Sequence, residues 1–136
     1  MSSEKVELAR RGYEAIKRGD LTDVVDLLDE HVKWHAGDPM AEGACRNRKQ
    51  ALAFMRRPER RDPGELIDII DAGDRIVVIL QPPPIDGEPA PMRAQLTTFR
   101  DGKVIEMAGY PTVEAAFAEA GVEWRGSSAD AQDSTD

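Results

Sequence analysis

Apolar residues recur at helical spacing near the start of the chain. Leu8, Ala9, Gly12, Tyr13 and Ile16 share one face of residues 4–18, and Glu4, Lys5, Arg10, Arg11, Glu14, Lys17 and Arg18 take the other. This predicts an amphipathic helix, capped by Ser2 or Ser3 and ended by Gly19, where a left-handed backbone is cheap. Asp20 is placed to cap a second helix through Leu28, with Leu21, Val24, Val25, Leu27 and Leu28 as its apolar positions. The period then falls to two. Val32, Trp34 and Ala36 alternate with His31, Lys33 and His35, which predicts a short strand over 31–36. A loop follows, and Asn47 is a cap for a third helix over 48–55.

The second half reads as two hairpins. Residues 65–71 and 75–81 flank a turn at Ala72-Gly73-Asp74, and residues 92–100 and 103–110 flank Asp101-Gly102. Asp-Gly between two alternating apolar runs is the strongest short-range hairpin signal. Residues 82–91 between the hairpins hold five of the nine prolines. Proline has no N–H to give a sheet ladder, so a stiff connection is expected there. Thr112 is a cap for a last helix over 113–120, and Gly121 ends it. The acidic, polar stretch 126–136 reads as a disordered tail after a single domain of residues 1–125.

Helices followed by paired strands predict an α+β fold with an antiparallel sheet. Three helices against one face of a strongly curved sheet form a cone with an open end.

Composition narrows the partners. The net charge is −8, and the cluster Arg56, Arg57, Arg60 and Arg61 is interleaved with Glu59, Asp62 and Glu65, so no nucleic-acid surface is expected. Cys45 is the single cysteine, which rules out an intramolecular disulfide and fits a reducing compartment. No apolar run approaches the ~18 residues of a membrane span, and no apolar leader is visible; a cytoplasmic protein is expected.

Three stretches together carry a family likeness. Tyr13-Glu14-Ala15-Ile16 leads to Gly19-Asp20-Leu21 and then Val32-Lys33-Trp34-His35. Cys45-Arg46-Asn47-Arg48 opens the third helix. Gly73-Asp74-Arg75 precedes Asp101-Gly102-Lys103-Val104-Ile105 and Tyr110. In this order and spacing, residues 5–122 resemble the nuclear-transport-factor-2-like superfamily and, within it, the SnoaL-like domains. The resemblance implies a cavity between the helices and a concave sheet. It also implies relatives as different as ketosteroid isomerase, scytalone dehydratase, limonene epoxide hydrolase and polyketide cyclases, so the fold names no single reaction.

The chemistry must come from the residues. Ketosteroid isomerase uses a carboxylate base with a tyrosine and a protonated aspartate as oxyanion donors. By the resemblance those donors fall at Gly12 and Thr97, and only Asp38 lies near the position of the base. Many SnoaL-like chains place an aspartate two residues after the tyrosine of the last strand; here that position is Thr112. An apolar cavity is therefore expected.

Within it, Asp38 is the candidate base and Tyr13 the candidate hydrogen-bond donor. Trp34 and Tyr110 are expected to position a ligand, Met55 and Met107 to line the cavity adaptably, and Arg93 to meet an anionic group. Each has a plainer reading: Asp38 as a turn former before Pro39, Trp34 and the methionines as core, Tyr13 packing its ring, and Arg93 in a surface ion pair. No cofactor is implied, and no His, Cys, Asp or Glu set has metal-ligand spacing. The expected partner is a small apolar organic molecule. A homodimer through the outer sheet face is also expected, from Ile67, Ile69, Val78 and Thr98. A cofactor-independent acid–base enzyme (isomerase, cyclase or hydrolase type) and a non-catalytic ligand-binding or dimerisation module are both open at this point.

Overall fold

Asp101 and Gly102 both have positive φ, 54° and 78°, the mirror-image turn that matches the twist of the strands it joins. They connect β4 (Arg93–Arg100) to β5 (Lys103–Tyr110). In the computed structural model, which describes residues 4–35, 45–56, 64–110 and 112–122, this hairpin is the centre of a five-stranded sheet. The other strands are β1 (Leu28–His35), β2 (Glu65–Asp71) and β3 (Arg75–Gln81), in the order β1-β5-β4-β3-β2. The helices are α1 (Glu4–Arg18), α2 (Thr22–Leu27), α3 (Arg48–Met55) and α4 (Val113–Ala120).

Most boundaries follow from local chemistry. Gly19 at φ 76° ends α1. Asn47 accepts from the Gln50 N–H at 2.9 Å to cap α3, and Thr112 accepts from the Ala115 N–H at 3.1 Å to cap α4. Gly121, left-handed at φ 74°, closes α4. The second helix differs from expectation. It starts at Thr22 and stops at Leu27, because Leu28 already pairs with Val104 as the first residue of β1. Asp20 accepts from the Thr22 N–H at 3.0 Å, as a turn one residue ahead of the helix.

The sheet is antiparallel except at one edge, where β1 runs parallel to β5. Three irregularities curve it, between Leu28 and Lys33, between Leu66 and Asp68, and between Thr98 and Phe99. Two of them, in β2 and in β5, also shift which face the following residues take. Leu66 and Ile69, three apart, both join the inner cluster, and Ile67 and Ile70 join the outer one. Of the four residues expected on the outer face, Ile69 lies inside beyond the β2 irregularity and Val78 lies inside by the regular alternation of β3, and this removes part of the basis for a sheet-mediated dimer.

Two apolar clusters result. The inner one packs α1, α2 and α3 onto the concave face, around Val32, Trp34, Ile76, Phe99 and Met107. The outer one packs α4 across β3, β4 and β5, where Phe117 and Ala116 cover Val77, Ile79, Ala94 and Leu96. Val77 and Ile79 are fully buried by the chain's own helix. The tail at 126–136 lies outside the described residues.

Candidate functional site

The alternation of β4 builds the floor of a cavity. Ala94 and Leu96 turn outward under α4, so Arg93, Gln95, Thr97 and Phe99 turn inward. Val78 and Leu80 of β3 flank this row on one side, and Val104 and Met107 of β5 on the other. The roof is α1, whose residues Leu8, Ala9, Gly12, Tyr13 and Ile16 form one helical stripe. Trp34, Met55 and the α2 residues Val24 and Leu27 close the far walls, and Pro82–Ile85 form the rim. The cavity volume is about 490 Å³, within the range of small-molecule sites.

Trp34 is held in place from two sides. Its ring meets Phe54 edge-on at 5.0 Å, and its backbone N–H donates to the Cys45 carbonyl at 3.0 Å. The rim is equally fixed. Ile85 and Glu88 exchange two backbone hydrogen bonds of 2.9 Å around Asp86-Gly87, and the Gln81 amide donates to the Ala90 carbonyl. Three consecutive prolines fix their own φ angles along this segment. Ile85 is 65% exposed, the most exposed large apolar side chain among the described residues, and it stands at this rim.

The residues singled out in the sequence separate into groups. Trp34, Met55, Met107 and Arg93 all line the cavity. Tyr13 lines it with its ring, but its hydroxyl is engaged elsewhere, donating to the Gly64 carbonyl at 2.6 Å and accepting from the Leu66 N–H at 3.1 Å. This geometry makes Tyr13 a tie between α1 and β2 in place of a ligand donor. Tyr110 is placed on the opposite side of the sheet, in the outer cluster with α4, because it stands on the same face of β5 as Ala108. Burial raises its pKa, with the nearby Glu119 adding to the effect. Asp38 lies outside the described residues. His35, opposite in direction to Trp34, pairs with Glu106 at 2.9 Å and stays away from the cavity.

Gln95 went unnoticed in the sequence, although a signal was there. Arg93, Gln95 and Thr97 are polar at period two on a strand whose other face is apolar, and that pattern marks a polar stripe on one side. Among the described residues, the cavity lining carries no carboxylate, imidazole, thiol or amine, and Arg93 is its one charged side chain. No group of three His, Cys, Asp or Glu residues is placed to hold a metal among the described residues. No described helix is long and apolar enough to cross a membrane.

Comparison with known proteins agrees with this architecture. The model of the SnoaL-like domain family matches residues 9–107. No curated protein matches the sequence. Among solved structures, the chain is similar to Bal32a from a soil-derived mobile gene cassette, at 24% identity and a TM-score of 0.65 over 85% of this chain and 95% of that one. It is similar to a nuclear-transport-factor-2-like protein of unknown function from Burkholderia pseudomallei, at 22% identity and a TM-score of 0.63 over 86% and 97% of the two chains. It is also similar to TerC, co-crystallised with polyporic acid, at 20% identity and a TM-score of 0.59 over 87% and 98%. Likeness at these identities shows the shared fold.

Proposed function

Because this chain belongs to the SnoaL-like family, we propose that its cone is a binding site for a small, largely apolar organic molecule. The observation that carries this reading is the open cavity of about 490 Å³, apolar on most walls, with one polar row along its floor. A site of that size and lining removes most of a small ligand from water, and a few polar groups orient it. A relative of the same fold was crystallised with a small organic acid, polyporic acid, which is consistent with this use of the cone. The stiff rim and the edge-packed Trp34 favour binding without reorganisation, which lowers the entropic cost.

Binding is the reading the cavity supports best, because its described lining lacks a general base. Of the residues singled out in the sequence, Asp38, which lies outside the described residues, is the candidate base for acid–base chemistry. If a ligand found by screening is turned over, Asp38→Ala is expected to abolish turnover, and unchanged turnover removes Asp38 as the base. The homodimer expected through the outer sheet face is not part of the proposal, since α4 of the same chain covers β3–β5 there.

A thermal-shift screen of small aromatic and aliphatic molecules tests the site. Hits are expected to raise the midpoint and to change the fluorescence of Trp34 in a Trp124→Phe background. Leu80→Trp, at a half-exposed lining position, is expected to fill the mouth and abolish the shift while the fold is kept. Hits that survive Leu80→Trp unchanged bind elsewhere and defeat the proposal.

A further inference from the structure

We propose that the ligand is an amphiphilic carboxylate, lying along β4 with its carboxylate at Arg93 and its apolar body in the cone. This rests on the cavity being a binding site and specifies the chemistry of what it binds.

The first argument is charge. Arg93 is the one charged side chain among the described residues that line the cavity. Among the described residues it has no ion-pair or hydrogen-bond partner, whereas Arg18 and Arg75 both reach carboxylates. A guanidinium presents a planar fork of donors that fits a carboxylate better than a neutral oxygen. The chain as a whole carries −8, so long-range attraction does not bring an anion here. Selection must occur at contact, within the roughly 8 Å that salt leaves unscreened.

The second argument is direction. Exposure falls along the inward row of β4: Arg93 is exposed, Gln95 half-buried, and Thr97 and Phe99 are 6% and 7% exposed. The cationic end is therefore at the mouth, and the deep end is apolar, closed by Phe99, Val104 and Trp34. An anion seated at Arg93 keeps water on its outer side, which avoids the cost of burying a charge. Its body then passes Gln95 and Thr97, roughly 13 Å of strand at ~3.3 Å per residue. Neither of those two side chains has a hydrogen-bond partner among the described residues. Both are free to meet oxygen atoms along one edge of the ligand.

The third argument is the rim. Ile85, exposed to water at 65%, stands at the same mouth as Arg93. A cation beside an exposed aliphatic side chain matches the junction between the head and the body of an amphiphile.

Fluorescence titration of Trp34 in the Trp124→Phe background compares decanoate with decan-1-ol near neutral pH. Decanoate is expected to bind about tenfold more tightly, as a charge-assisted contact at a wet mouth allows. Arg93→Gln is expected to erase that preference and leave decan-1-ol binding unchanged. Arg100→Gln, an exposed cation on the same strand that does not line the cavity, is expected to leave the preference intact. Equal binding of the two probes, or a preference that survives Arg93→Gln, overturns the inference while the cavity proposal stands. Loss of preference in Arg100→Gln as large as in Arg93→Gln also overturns it, by showing a general charge effect. If neither probe binds, the inference is overturned, and the cavity proposal is decided by the thermal-shift screen and Leu80→Trp.

Discussion

The Tyr13 hydroxyl and the Gly64 carbonyl lie 2.6 Å apart, joining the middle of α1 to the residue just before β2. The same oxygen accepts from the Leu66 N–H at 3.1 Å, so one phenol satisfies both a backbone acceptor and a backbone donor. The roof of the cavity is fastened to the sheet at this point. Tyr13→Phe keeps the ring and leaves both backbone groups without their partner. A loss of about 1–2 kcal/mol in unfolding free energy is expected from urea denaturation, with ligand affinity little changed. A large drop in affinity with stability preserved would return Tyr13 to the role of ligand donor.

Gly64 is the other half of that contact. It has φ 91°, and a Cβ there would run into the Gln81 carbonyl. Both the backbone conformation and the space demand glycine. Gly64→Ala is expected to cost at least about 2 kcal/mol, whereas Gly73→Ala, at φ 93° with open space around it, meets only the conformational penalty. Thermal unfolding of the pair checks this, and equal losses would show that the contact with Gln81 relaxes freely.

Phe117 anchors α4 on the outer face of the sheet and is 6% exposed. Phe117→Ala is expected to destabilise by about 3 kcal/mol and to expose Val77 and Ile79, read as increased binding of a hydrophobic dye. A change below about 1 kcal/mol would mean that α4 is dispensable and that the outer face is covered in another way.

Tyr110 has a pKa raised above 10.0 by burial and by the nearby Glu119. The sign follows from linkage. The folded state holds this proton more tightly than the unfolded state, so the contribution is complete below pH 10.0 and is lost as pH rises through the folded value. Alkaline absorbance titration is expected to show a phenol ionising above 10.0 that Tyr110→Phe removes. Ionisation of that group at or below 10.0 would contradict the placement beside α4.

The fold was legible because its boundaries are set locally. Asp101-Gly102 can turn only one way cheaply, Thr112 and Asn47 cap the helices that follow them, and Gly121 stops the last one. The stripe of α1 was equally visible, since it depends only on the helical period. The lining of the cavity was legible in part. Trp34, Met55, Met107 and Arg93 reached the cavity, as their residue types and positions suggested, and Gln95 was overlooked although its spacing from Arg93 marked it.

The sequence by itself determined the order and type of the helices and strands, which residues alternate, and that the chain carries a SnoaL-like order of elements. These depend on interactions between residues close along the chain. Only the tertiary structure decided which face of each strand is inside. Alternation separates two faces without saying which one meets the helices, and the bulges in β2 and β5 reverse the count beyond them. That is why Ile69 and Val78 lie inside, why Tyr110 lies under α4, and why the Tyr13 hydroxyl is spent on Gly64, fifty-one residues away.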